Sequence, residues 1–335
     1  MKIVIDQALK MLRGVFEPFA GVAYLPGAAI SAGDVRDADA LIVRTRTRCD
    51  LGLLGRSNVK IVATATIGFD HIDTGYCRDN GIEVSTSAGS NARGVAQYVF
   101  AAIDALGMSP AGKTLGIIGV GNIGNIVSAI ASSSGFRVLE NDPPRRAREG
   151  GGRFTDIDRL LEAADIITLH VPLDTSTRDM VSDDFLRKIK PGAALINSSR
   201  GEVMDEKTVA AARRSGRLGR LVMDVWRNEP DIDPALLAAA DIATPHIAGY
   251  SLQGRANAGA MAVRAVARKL GIRPLQGWYP EGIEPTIARP DITWSELTAS
   301  MPSYYDIMAD DRALRSDPSA FESLRNNYDF RKEFF

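Results

Sequence analysis

Arg200, Glu229 and His246 are residue types that could together take a proton from a hydroxyl and hold the carboxylate beside it. Each follows a short apolar run: Arg200 sits in INSSRGEVMD after Ala193–Asn197, Glu229 in MDVWRNEP after the run that ends near Asp224, and His246 in ATPHIAGYS after Asp241–Ala243. An imidazole exchanges protons near working pH, and a neighbouring carboxylate both orients the ring and favours its charged form, which is the part assigned to Glu229. A guanidinium offers a carboxylate a planar two-point fork that an ammonium cannot match, which is the part assigned to Arg200. Taken singly, Arg200 and Glu229 could be surface ion partners and His246 a satisfied loop histidine. Their order after consecutive apolar runs argues for chemistry, because parallel sheets gather reactive groups at the carboxyl ends of their strands.

Proton removal alone does not oxidise an alcohol, and the segment TLGIIGVGNIG points to the missing acceptor. An apolar strand runs into Gly119, Gly121 and Gly124 and then into a helical run from Asn122 to Ser134. Gly119 permits the tight turn, Gly121 lets a pyrophosphate reach the backbone, and Gly124 lets helix and strand pack closely. The N–H groups at the start of that helix would face the phosphates. After a second strand, Arg137–Leu139, Asp142 is placed to accept the ribose hydroxyls of NAD. Arg145 and Arg146 stand close by, and an arginine in this region is how some such sites take NADP. The competing reading is a glycine turn in a flavodoxin-like sheet, with Asp142 capping a loop. His71 in GFDHIDTGY is expected to orient a loop or cap the next helix, and His170 to line the cofactor cleft. No His, Cys or carboxylate cluster has metal-ligand spacing, so no metal is expected.

The elements that must position these groups alternate. Strands are expected at Lys2–Ile5, Ala40–Val43, Lys60–Ala63, Thr114–Ile118, Asp165–Leu169, Ala193–Asn197 and Arg220–Met223, with helical spacing at Asp156–Ala164, Asp183–Ile189 and Glu206–Ser215 between them. This predicts an α/β protein with parallel sheets and crossover helices. The long helical stretches Ala92–Leu106 and Leu252–Leu270 read as paired hinge helices. They set a substrate domain at 1–90 and 249–275, an inserted cofactor domain at 91–248, and a small carboxy-terminal domain at 276–335 that packs on a partner subunit. The basic and glycine-rich stretch Pro143–Gly152 reads as a surface loop.

Composition narrows the partners. Forty Lys and Arg against 41 Asp and Glu leave no field that would draw the chain to nucleic acid or an anionic membrane. An anionic ligand must therefore be held locally. Asp6 interrupts the first apolar run, and the stretch from Val95 to Leu106 is too short for a bilayer, so neither export nor a membrane span is expected. Cys49 and Cys77 alone suit a reduced, cytoplasmic setting.

In GVGNIG, HVPL from His170, KPGAALINSSRGEVMD from Lys190, MDVWRNEP from Met223 and TPHIAGY from Thr244, the chain resembles the D-isomer-specific 2-hydroxyacid dehydrogenases over nearly its whole length. The resemblance implies two Rossmann-like domains, the cofactor domain inserted into a flavodoxin-like substrate domain, followed by a dimerisation domain and a homodimer. It implies Arg200, Glu229 and His246 as catalytic residues, with His246 abstracting the hydroxyl proton. Cofactor contacts then fall at Asn122, Ile123, Asp142, Val171, Ser198, Ser199, Asp224 and Gly249.

Other segments are similar to one branch of the family that oxidises a small phosphorylated 2-hydroxy acid in vitamin B6 cofactor synthesis. These are MKIVID, DADALIVRTRT from Asp37, VATATIGFDHID from Val62, NDPPR from Asn141, HIAGYSLQGRA from His246 and the late YDIMADDRALRSDPSAFESLRNNYDFRKEFF. Substrate contacts map to Thr45, Thr66 and Tyr250, and Arg44 beside Thr45 could supply a cation to the phosphate. Val171 stands where relatives carry a hydroxyl residue, so a contact there would use backbone. Two alternatives are a family member acting on 3-phosphoglycerate, glyoxylate or hydroxypyruvate, and a protein that senses NAD without chemistry.

Overall fold

Short apolar runs bounded by Gly, Pro or Asp favour extended chain, and eleven of them form strands in the computed structural model, which describes residues 1–335. They are β1 (Lys2–Asp6), β2 (Gly21–Leu25), β3 (Ala40–Val43), β4 (Ile61–Thr64), β5 (Glu83–Ser85), β6 (Thr114–Ile118), β7 (Arg137–Asn141), β8 (Ile166–Leu169), β9 (Ala194–Asn197), β10 (Arg220–Met223) and β11 (Ile242–Ala243). Two were not anticipated. β2 lies at a sheet edge and is partly exposed along its length, while β5 has only three residues, so neither carries the buried β-branched signature.

The chain divides into two units, Met1–Asn91 with Leu252–Pro285, and Ala92–Ser251 with Thr286–Phe335. In the first unit a parallel sheet has the order β2-β1-β3-β4-β5. This is the doubly wound flavodoxin-like order, whose switch point lies between β1 and β3. One face buries Ile3, Ile5, Ile42 and Ile61 against Val263 and Val266 of the helix Leu252–Leu270. The other buries Val4, Leu41, Val43 and Val62 with Cys49 and Cys77.

The second unit holds a parallel sheet ordered β11-β10-β9-β8-β6-β7, with its switch point between β6 and β8. Apolar residues of the helices Ala92–Ala105 and Asn122–Ser133 cover one face. Leu160, Leu186, Val209 and Leu236 cover the other. Every one of its central strands is buried on both faces, which is why their sequences read as continuous apolar runs.

Two expectations need revision. Pro143–Glu149 is a helix rather than a loop: Asp142 accepts the Arg145 N–H at its start, prolines occupy its first turn, and Arg145 pairs with Glu149 one turn on. Residues 286–335 do not stand apart as a third body. Ile292, Leu297, Leu314, Phe321 and Phe335 are each fully buried in the core of the second unit. No helix is long and apolar enough to cross a membrane.

Candidate active site

β9, β10 and β11 are neighbours, and their register sets Asn197 beside Met223 and Met223 beside Ala243. The three loops that leave these ends carry Arg200, Glu229 and His246. Gly201 lets the first two loops meet, since a Cβ there would fall 2.0 Å from the Trp226 carbonyl carbon. Asn197, fully buried, accepts the Ser199 N–H (3.0 Å) and donates from Nδ2 to the Arg200 carbonyl (2.9 Å), fixing the Arg200 backbone. The exposed guanidinium makes one bond, Nη1 to the Ser199 carbonyl at 2.7 Å, leaving most of its fork available.

His246 Nδ1 and Glu229 Oε2 are 2.7 Å apart. Glu229 Oε1 accepts the Trp226 N–H at 2.9 Å, and the Trp226 indole donates to the Thr244 carbonyl at 3.0 Å, so carboxylate and imidazole are locked through one short circuit. Burial works to raise the Glu229 pKa, but the hydrogen bond and charge of His246, the Trp226 N–H and the Arg325 guanidinium outweigh it and hold it below the ordinary value. His246 lies at φ +58°, a left-handed conformation that a non-glycine residue adopts only when its surroundings fix it. Asp224 supplies that fixing. Its carbonyl accepts the His246 N–H at 2.7 Å, and its buried carboxylate accepts Thr244 Oγ1 (2.7 Å), the Ile247 N–H (2.8 Å) and the Ala248 N–H (3.0 Å). Burial nevertheless pushes the Asp224 carboxyl up, against the charge of His246 and these donors. Thr244, Trp226 and Tyr98, whose hydroxyl meets Thr244 Oγ1 at 2.8 Å, were not singled out in the sequence, because polar atoms that serve only to hold a loop leave no spacing signature.

The glycine turn closes the other side of the sheet's carboxyl edge. Gly119 has φ +87°, and a Cβ there would lie 2.5 Å from the His170 carbonyl oxygen; one on Gly124 would lie 2.1 Å from the Gly119 oxygen. Gly121 faces open space, and it caps the helix Asn122–Ser133 without a side-chain bond, so the first-turn N–H groups at Asn122 and Ile123 lack a side-chain acceptor. Asp142 Oδ2 accepts the Val120 N–H (2.8 Å) and Oδ1 the Arg145 N–H (2.9 Å), which still leaves lone pairs for ribose hydroxyls. Arg145 is engaged with both Glu149 oxygens at 2.7 Å and with Asn125 Oδ1 at 3.0 Å, while Arg146 pairs with Asp156.

His170 Nε2 lies 3.0 Å from Thr168 Oγ1, and burial lowers its pKa to about 3, so it stays neutral and is no general base. The helix Thr74–Asp79 is capped by Asp73 rather than His71. In the first unit, Arg44 and Thr45 leave β3 and Thr66 leaves β4, adjacent strands, with Thr66 Oγ1 at 2.6 Å from Thr64 Oγ1. In the second, Tyr250 and Gly249 follow the His246 turn, and Val171 follows His170.

The profile described as D-isomer specific 2-hydroxyacid dehydrogenase, NAD binding domain, matches residues 89–248. A Bacteroides fragilis erythronate-4-phosphate dehydrogenase is 43% identical over 99% of this chain and 97% of its own. The chain belongs to the D-isomer-specific 2-hydroxyacid dehydrogenase family. A second such enzyme, from Bacteroides thetaiotaomicron, is 40% identical over 99% of this chain and 97% of its own. Among solved structures, the NAD-bound 3-phosphoglycerate dehydrogenase of Entamoeba histolytica matches with TM-score 0.64 and 26% identity over 80% of this chain and 94% of its own.

The residues present fit NAD. Among the buried polar atoms without a partner are Ser198 Oγ, just past β9, and His170 Nδ1, just past β8, the residue whose carbonyl packs against Gly119. Orphaned polar atoms cost stability unless a ligand satisfies them. In this dehydrogenase they lie at the carboxyl edge where doubly wound sheets bind dinucleotides.

Proposed function

We propose that this dehydrogenase oxidises 4-phospho-D-erythronate at C2, giving (R)-3-hydroxy-2-oxo-4-phosphooxybutanoate and NADH, a step in making pyridoxal 5'-phosphate. The observation that carries the reading is the His246 Nδ1–Glu229 pair at 2.7 Å on a loop held at φ +58°. With Nδ1 engaged, Nε2 is the nitrogen left to accept a proton. His246 takes the C2 hydroxyl proton as the C2–H bond gives up its hydride and the C2–O bond becomes a carbonyl. Glu229 holds the ring in register and stabilises the imidazolium that results. Arg200 grips the C1 carboxylate and draws charge from the nascent carbonyl. NAD supplies the hydride acceptor, held by Gly119–Gly124, Asp142, Val171, Ser198, Ser199, Asp224 and Gly249. Arg44, Thr45, Thr66 and Tyr250 serve the remainder of the substrate, Arg44 meeting the phosphate.

The choice of phospho-erythronate follows the names of the near full-length relatives. The enzyme works as a homodimer in a reducing cytoplasm, a setting that suits its buried free thiols Cys49 and Cys77. A panel of 2-hydroxy acids with purified protein tests the substrate. Phospho-erythronate should give the highest kcat/KM by NADH absorbance, and equal or faster turnover of 3-phosphoglycerate would reject it.

A further inference from the structure

The carboxy-terminal tail reaches the loop that bears His246. Arg331 forms a parallel β-bridge with Ser251, and its guanidinium is buried in the second unit. Nη1 donates to the Ile247 carbonyl at 3.1 Å, and Nη2 donates to the Ala248 carbonyl and, at 3.1 Å, to that of Gly94. The N–H groups of the same two residues, Ile247 and Ala248, are those held by Asp224. The peptide units directly after His246 are therefore gripped from both sides, by an acid on their donors and a base on their acceptors.

The grip is itself braced. Nη1 also donates to the Tyr328 hydroxyl (3.1 Å), which donates to Asp310 Oδ2 (3.1 Å), and the guanidinium lies 4.1 Å from the Tyr305 ring centroid. One residue earlier, Phe330 stacks on Tyr250 with centroids 5.5 Å apart and planes 9° apart, while Tyr328 meets Tyr250 edge-on at 5.8 Å. A methionine would fill the Arg331 position without removing a charge from water, which is costly. What the guanidinium adds is direction: planar donors aimed at carbonyls on separate segments.

We infer that Arg331 is a positioning residue of the oxidation, setting the His246 loop through the Ile247 and Ala248 carbonyls, while the adjacent Phe330 sets Tyr250 for the substrate. This rests on the roles given to His246 and Tyr250 under the proposed function. It assigns to the carboxy-terminal tail a part in the chemistry of its own subunit.

The test compares wild type, Arg331→Met, Arg331→Lys and Phe330→Leu, full-length, with whichever 2-hydroxy acid of the panel the wild type oxidises best, so that a wrong substrate name and a wrong tail assignment fail separately. For Arg331→Met, kcat should fall about 30- to 100-fold, the scale of an ångström-level misplacement. NADH affinity by fluorescence should stay within about twofold, and Arg331→Lys should recover part of kcat by offering donors again. Phe330→Leu should raise KM about fivefold with kcat within about twofold. A folded Arg331→Met with wild-type kcat, or one whose kcat and NADH affinity fall together, overturns the inference. If Arg331→Met does not fold, Phe330→Leu decides: an unchanged KM overturns it, and a KM-only change supports it.

Discussion

His246 is held by its ring and its backbone through different partners, Glu229 at Nδ1 and Asp224 at the peptide N–H, so its direction does not depend on one contact. The placement of Arg200, Glu229 and His246 past strand ends was readable in the sequence, because each follows an apolar run that had to be a strand of a parallel sheet. Asp224, expected at a cofactor contact, has its carboxylate engaged by Thr244, Ile247 and Ala248, partners whose contribution depends on burial and cannot be seen as spacing. His170 carries a prediction of its own. Its folded pKa is lowered from 6.5 to about 3 by burial. Below 6.5 the unfolded chain therefore binds a proton that the folded chain refuses, and stability falls as pH drops through that window toward 3. The urea midpoint should decline between about pH 7 and pH 5, and His170→Gln should flatten the decline. Equal slopes in the two proteins would assign the acid sensitivity elsewhere.

Among the elements, the Gly119–Gly124 turn with its strand and helix was readable in advance, since its glycines answer steric demands visible as 2.1 and 2.5 Å approaches. The helix Pro143–Glu149 was not, because glycines at its end and clustered arginines resemble a solvated loop until Asp142 is seen as its cap. That helix bears on cofactor choice. Glu149 takes both Nε and Nη2 of Arg145 at 2.7 Å and Asn125 Oδ1 takes Nη1 at 3.0 Å, so this guanidinium beside the Asp142 turn is already paired. Glu149→Gln should release it and lower the preference for NAD over NADP about five- to tenfold in kcat/KM. An unchanged ratio would mean that Asp142 alone sets the preference.

For the whole molecule, the two parallel sheets followed from the alternation of apolar runs with helical spacing. The fate of residues 286–335 did not, because a segment with proline punctuation and scattered aromatics looks the same whether it packs on its own chain or on a partner. Its burial against the second unit predicts that ending the chain after Pro285 exposes the sites now filled by Leu314, Phe321 and Phe335. Losses of roughly 3 kcal/mol or more per large side chain should abolish cooperative melting and NAD binding, and retention of both would contradict this packing. Sedimentation of the intact chain then measures its oligomeric state. The most direct test of the account is single-turnover NADH formation from 4-phospho-D-erythronate by wild type and His246→Ala, with NAD affinity measured alongside. In His246→Ala the hydride-transfer rate should fall at least about a thousandfold with NAD affinity preserved. A variant that still forms NADH at the wild-type rate would contradict it.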